Sequence, residues 1–290
     1  MASVQANGDK PEKAWRSLLF APANRPELAA KLPRSAPDAV VLDLEDAVPE
    51  SAKIDARAIA KASISLLASA TNAPAVVLRV NGTRTQWFES DIAEAMCEGV
   101  TAIIVPKMET ATEVALVRAA LDRCGWNNVG IIAGIETVRG VADAREVLST
   151  GVAGAYFGAE DYITDLGGVR TNSNDEVAWA RAFVAVAARL AGVQILDMIV
   201  ADIADHERFS AEANQARALG YSGKICIHPG QVALANAAFI PTAEEVTRAQ
   251  RLLAAYDASV SKGIAAIAFE GQMVDEPLAR RARQIIDTVG

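Results

Sequence analysis

Eight short apolar runs recur along this chain, each followed by a longer stretch with helical spacing, and this rhythm limits the fold more than any other feature. The runs span residues 17–21, 39–44, 75–80, 102–106, 130–135, 154–158, 194–198 and 223–227. They are nearly continuous in apolar character, as strands buried on both faces must be. The helical stretches cover 51–68, 87–98, 111–122, 141–149, 176–191 and 207–219, with shorter ones at 26–32 and 231–239. Ser51, Thr110 and Asp205 stand where helix N-caps are needed. Eight alternating units predict a (β/α)8 TIM barrel of the α/β class. A doubly wound sheet is the competing architecture, but no Gly-rich GxGxxG or GxxxxGK loop follows the first run.

The barrel is assigned to residues 14–240. Residues 241–290 hold a helical run (243–256), a strand-like run (265–269), the turn Glu270-Gly271-Gln272 and a final helix (276–288). They read as a C-terminal helical and hairpin extension, packing on the barrel or on a neighbouring subunit. Residues 1–13 are polar, lack the apolar region of a signal peptide, and read as a disordered tail. No apolar run has the length of a membrane span, so no membrane partner is expected. The formal charge of −8 disfavours nucleic acid. It leaves room for a local basic pocket that takes a small phosphorylated ligand. Cys97, Cys124 and Cys226 are widely spaced and form no CxxC, which argues against a zinc site or a disulfide framework. A reducing cytoplasm is the expected compartment.

Barrels of this kind carry their chemistry at the C-terminal ends of the strands. The sequence places Asp43, Glu45 and Asp46 after the second run, Arg79 and Asn81 after the third, and Lys107 and Glu109 after the fourth. Glu136 and Arg139 follow the fifth, Glu160 and Asp161 the sixth, Asp197 and Asp202 the seventh, and His228 the eighth. One polar strand end is ordinary; a succession of them predicts a polar pocket. Glu136 and Asp161 close neighbouring runs. Such a pair can hold a hard divalent cation, because Mg2+ accepts one or two protein carboxylates and completes its shell from water and substrate. The other reading is two loop carboxylates bonded to backbone N–H groups. Zinc is disfavoured by the presence of only two histidines, His206 and His228. His206 reads as a surface-helix residue, and His228 as either packing or catalytic. Arg79 closes the apolar Val76-Val77-Leu78, and an inward arginine must meet an anion. That anion is a substrate carboxylate gripped by its planar fork, or Glu45 or Asp46, or both at once. Arg25 and Lys31 either grip phosphates at the pocket mouth or lie on a solvated helix face.

Beyond these separate readings, the residues follow a known pattern in order. Residues 16–27, Leu42-Asp43-Leu44-Glu45-Asp46-Ala47-Val48, Arg79-Val80-Asn81-Gly82, Val105-Pro106-Lys107 and Ile135-Glu136-Thr137 carry it through the first half. Phe157-Gly158-Ala159-Glu160-Asp161, residues 223–231 and residues 271–277 complete it. From about Trp15 to its C-terminus the chain resembles the HpcH/HpaI aldolase and citrate lyase beta-subunit family, which includes malyl-CoA lyases. The resemblance implies a barrel assembled as homotrimers or hexamers. It implies cleavage or formation of a carbon–carbon bond between a 2-keto acid and an acyl-CoA or acyl-carrier thioester. By matching positions, Glu136 and Asp161 would bind Mg2+, while Arg79 would hold the substrate carboxylate and stabilise the enolate. Gly158 and Ala159 would join Glu136 in lining the substrate. Phe20, Arg25 and Lys31 would contact CoA, and Asp275 would reach a neighbouring subunit's site as an acid/base. The Glu45/Asp46 pair would take the hydroxyl proton. Ala23 departs from the glycine that many members carry in the first loop.

The lysis reading has two rivals. One keeps the barrel but acts on free hydroxy acids as an aldolase, or hydrolyses the thioester. The other makes the chain a non-catalytic subunit of a larger lyase complex that needs an acyl-carrier partner.

Overall fold

The computed structural model describes residues 14–70 and 73–288, so the tail expected at 1–13 lies outside the described residues. The chain divides into two compact units, Met1–Asn236 and Ala237–Gly290. In the first, eight strands form a closed barrel in sequence order. They are β1 (Ser17–Pro22), β2 (Ala39–Asp43), β3 (Ala75–Arg79), β4 (Val100–Val105), β5 (Gly130–Ile135), β6 (Gly154–Phe157), β7 (Gln194–Asp197) and β8 (Gly223–Cys226). All neighbours run parallel, and β8 closes on β1 through Leu18 opposite Ile225. The barrel therefore bears out the sequence expectation, with each strand within two residues of its predicted run.

One buried cluster takes residues from every strand: Leu18, Ala39, Val41, Val77, Ala102, Ile104, Ile132, Tyr156, Leu196 and Ile225. This is the barrel interior. The intervening residues, such as Leu19, Val40, Leu78 and Ile103, are equally buried under the helices. Side chains alternate across a strand, so each must satisfy two apolar layers. That double burial makes the runs continuous in the sequence.

The helices differ from expectation in four places. Thr110 caps its helix through a reciprocal box with Glu113, and Asp205 accepts the Arg208 N–H, as predicted. Ser51 does not cap; it lies in a 3-10 turn, Glu50–Ala52, ahead of the helix Lys53–Ala68. The stretch 87–98 is a short helix, Phe88–Ser90, passing into a π-helical turn, Asp91–Ala95. There the buried Asp91 carboxylate accepts from Asn81 and Arg57, and the widened turn accompanies that inward acid. The stretch 141–149 starts earlier, at a Thr137 cap, and breaks into Val138–Ala142 and Ala144–Leu148. A further helix, Ala159–Leu166, follows β6 directly.

Asp197 also departs from its expected place at the rim. Alternation along β7 puts Leu196 on the barrel axis and turns Asp197 to the helix layer, where it is fully buried. Arg181 grips both its oxygens at 2.8 and 2.9 Å, and Lys224 Nζ lies 2.6 Å from Oδ2. Lys224 also meets Glu212 at 3.4 Å.

The second unit has its own core of Ala249, Leu252, Tyr256, Val274, Ala279 and Ala282. It comprises the helix Ala243–Val260, an antiparallel hairpin of β9 (Ile267–Phe269) and β10 (Gln272–Val274), and the helix Glu276–Asp287. Glu270 and Gly271 both take positive φ, 49° and 80°, as a two-residue hairpin turn of this hand requires. Beyond the barrel the chain thus runs as helix, hairpin and helix within the unit Ala237–Gly290. No helix among the described residues is long and apolar enough to cross a membrane.

Removing the Asp197 carboxylate would leave the buried Arg181 without its anion and Lys224 with only the more distant Glu212. Asp197→Ala is expected to cost about 3–5 kcal/mol, read as a lowered urea midpoint with an unchanged slope.

Candidate active site at the barrel mouth

Glu136 follows β5 directly and is 2 % exposed. Its Oε1 accepts the Lys107 backbone N–H at 2.9 Å, and the Tyr156 hydroxyl lies 2.8 Å from both carboxylate oxygens. Two glycines make this possible. A Cβ at Gly158 would stand 2.3 Å from Glu136 Oε2, and one at Gly134 would stand 2.6 Å from the Tyr156 hydroxyl. Burial pushes the Glu136 pKa up to about 7, the nearby Asp161 charge adds to the rise, and the Tyr156 hydrogen bond opposes it.

Asp161 lies in the first turn of the helix Ala159–Leu166, one step beyond the strand end expected for it. It is half-buried, and its Oδ1 is 3.6 Å from Lys107 Nζ. Its neighbour Glu160 pairs instead with Arg170 at 2.9 Å. Gly158 and Ala159 form the junction between β6 and this helix.

Arg79 ends β3 with its fork already engaged. Its Nε and Nη2 donate to the two oxygens of Asp43 at 2.7 and 2.6 Å. Nη1 lies 3.2 Å from Glu45 Oε2, and the Phe20 ring stacks on the guanidinium at 5.3 Å. Of the two acids predicted to pair with Arg79, Glu45 does so, while Asp46 is exposed and faces Lys107 at 3.7 Å. The principal partner is Asp43, which also accepts the N–H groups of Glu45 and Ala47 and so shapes the loop after β2.

Glu45 is buried beside Arg79 and Lys107, with Oε1 accepting from Lys107 Nζ at 2.7 Å. Its Oε2 makes no hydrogen bond. Burial raises its pKa despite these two cations. Its main chain is pinned from behind: Lys53 Nζ donates to the carbonyls of Leu44 and Glu45 and to Asn81 Oδ1, at 2.8–2.9 Å. Burial opposes charge on Lys107 as well, but Glu45, Glu136 and Asp161 together raise its pKa.

The structure thus gathers Arg79, Glu45, Asp46, Glu136 and Asp161 through shared contacts with Lys107 and one another. Phe20 joins them through Arg79. Arg25 is exposed and pairs with Glu27, and Lys31 is exposed on the same segment. His206 and His228 both approach Gly230, apart from this set of contacts. Asp275 precedes the last helix of the second unit, with no side-chain cap bond. The sequence reading missed Tyr156, Asp43 as a partner of Arg79, and Lys53. Tyr156 left a signal: it is the one hydroxyl in an apolar run bounded by Gly154 and Gly158.

Among the described residues no three His, Cys, Asp or Glu side chains cluster as a closed metal cage. The donors that do approach, two hard carboxylates beside a polar mouth, match Mg2+, which needs few protein ligands.

The family model described as HpcH/HpaI aldolase/citrate lyase matches residues 16–229. The chain belongs to this family. It is 50 % identical to the citrate lyase subunit beta-like protein of Deinococcus radiodurans over 95 % of this chain and 98 % of that protein. It is 32 % identical to the L-malyl-CoA/beta-methylmalyl-CoA lyase of Cereibacter sphaeroides, over 95 % of each chain. CitE of Mycobacterium tuberculosis, solved with magnesium, acetoacetate and coenzyme A, superposes with a TM-score of 0.80. That likeness covers 96 % of this chain and 98 % of CitE at 33 % identity.

In this family member the buried Glu136 makes stability depend on pH. The folded chain keeps the Glu136 proton up to about pH 7, whereas the ordinary value is 4.5. Between those values the folded state binds more protons than the unfolded state, so stability falls as pH rises. In chelator, unfolding free energy is expected to drop from pH 5 to pH 8, with Glu136 contributing about 2–3 kcal/mol. Glu136→Gln should flatten that slope in urea titrations. An unchanged slope would show that Glu136 is not the titrating group.

Proposed function

We propose that this chain is an Mg2+-dependent carbon–carbon lyase. It splits a 3-hydroxyacyl-CoA thioester into a 2-keto acid and an acyl-CoA such as acetyl-CoA, or joins them in reverse. One observation carries the reading: Glu136 and Asp161 share a barrel mouth with the clamped guanidinium of Arg79 and the buried carboxyl of Glu45. Relatives named as citrate lyase beta subunits and malyl-CoA lyases, and a solved relative holding magnesium and coenzyme A, support it.

Glu136 and Asp161 would hold the cation. Bound there, Mg2+ supplies positive charge that makes a nearby hydroxyl more acidic. Asp43 and Phe20 fix the Arg79 guanidinium, so its remaining N–H groups meet a carboxylate or a developing enolate without reorganising. Glu45 acts as the base for the substrate hydroxyl. Burial raises its affinity for a proton, and its Oε2 has no hydrogen bond to break. The exposed Asp46 beside it relays the proton to solvent. Gly158 and Ala159 line the keto acid where β6 gives way to the helix. Phe20, Arg25 and Lys31 serve the CoA side, with the two exposed cations meeting its phosphates. Asp275 of a neighbouring subunit protonates the enolate, in a homotrimer or hexamer working in the cytoplasm.

Asp161→Asn is expected to abolish Mg2+-dependent cleavage while circular dichroism stays unchanged. Arg79→Lys, which cannot form the fork, should lower kcat/KM about a hundredfold or more. Malyl-, citramalyl-, methylmalyl- and citryl-CoA, assayed with product identification, test the reaction class. Turnover of the free hydroxy acids and of none of the thioesters would replace the lyase with an aldolase.

A further inference from the structure

Lys107 is tied to the site at both ends. It stands just past β4 with φ of +54°, a left-handed conformation that an L side chain adopts at a cost. In that conformation its N–H donates to Glu136 Oε1 at 2.9 Å. Its ammonium reaches three acids on two other segments: Glu45 at 2.7 Å, Asp161 at 3.6 Å and Asp46 at 3.7 Å. Only the Glu45 contact is a hydrogen bond; the other two are contacts between charges.

Asp161 is therefore shared. It faces the Lys107 ammonium and, with Glu136, forms the pair assigned to Mg2+. Two effects of Lys107 oppose each other at that pair. The ammonium steadies Asp161, but an ion pair whose members are 39 % and 38 % exposed steadies it weakly. The same charge repels a divalent cation on the shared carboxylate. That repulsion scales with the product of the charges, so it is doubled against a dication. Repulsion outweighs steadying.

Resting on the reading of Glu136 and Asp161 as the cation's ligands, we propose that Lys107 sets the affinity of that site, holding it below what the two carboxylates alone would give. Its backbone orients one ligand while its ammonium competes for the other. The cation is then bound weakly by the protein and firmly only when an anionic substrate adds its own oxygens.

Calorimetric titration of the purified full chain with Mg2+ alone tests this without any turnover. Lys107→Met removes the charge and keeps most of the side chain, and should bind Mg2+ about tenfold more tightly than the parent. Lys107→Arg keeps the charge and should stay within about twofold of the parent. Lys107→Gly accepts positive φ readily and keeps the N–H to Glu136, so it should tighten binding even if the methionine variant folds poorly. Equal or weaker Mg2+ binding by folded Lys107→Met and Lys107→Gly overturns the proposal. Asp161→Asn in the same assay separates the two ideas. If it abolishes binding while the Lys107 variants match the parent, only the role of Lys107 fails. If it binds like the parent, the ligand assignment fails and takes this proposal with it.

Discussion

The structure depends on keeping one carboxyl group, that of Glu136, buried at the end of β5 among apolar strands. A buried carboxylate without partners is costly, and three neighbouring positions are shaped to partner it. Gly134 lacks the Cβ that would strike the Tyr156 hydroxyl, and Gly158 lacks the one that would strike Glu136 itself. Lys107 takes a left-handed backbone from which its N–H meets the carboxylate. The two glycines bracket the tyrosine in space and in function: one admits the donor, the other the acceptor. Even so supplied, Glu136 remains reluctant to ionise, because burial and Asp161 outweigh Tyr156.

Around this centre the barrel uses buried ion pairs to fix strand ends, on both sides of the sheet. Inside the mouth, Asp43 clamps Arg79 and shapes the loop that carries Glu45. Outside it, Lys53, Asn81, Asp91 and Arg57 join that loop to β3 and to the π-helical turn. On the far side, Arg181, Asp197, Lys224 and Glu212 tie β7 and β8 to their helices. Replacing such pairs by well-packed apolar groups often leaves a protein equally stable. Their effect here is better seen as geometric: each pair is directional, and each holds a strand end from which a loop departs.

The barrel was legible because its strands are buried on both faces, which writes them as continuous apolar runs. The same double burial hid which face each residue takes. Within such a run nothing distinguishes Tyr156, which points to the axis, from Asp197, which points to the helices, so Asp197 was expected at the rim. Boundaries set by a side-chain cap, at Thr110 and Asp205, were legible. The helix carrying Asp161 starts from Gly158 without a side-chain cap, so its first turn read as the end of a strand. The acids and bases of the mouth were found because each follows an apolar run. Their pairing was not, since Asp43, Glu45 and Asp46 lie within four residues of one another and only the alternation of β2 and its loop decides which meets Arg79.

The charges at the mouth are unbalanced in a way that bears on the order of events. Asp43, Asp46 and Asp161, joined by Glu45 and Glu136 whose burial holds back their ionisation, face Arg79 and Lys107 among the described residues. A 2-keto acid approaching that mouth meets a net negative field, and Arg79 has already committed one edge of its fork to Asp43. With Glu136 and Asp161 proposed as ligands, the local field would favour the anion only once a dication joined them. In the proposed reaction, recognition of the substrate carboxylate would then fall to the cation and Arg79 acting together. An arginine alone would have been enough in a neutral pocket. On the proposed reading, the carboxylates that would serve the chemistry would also be what makes a metal necessary for binding the anion.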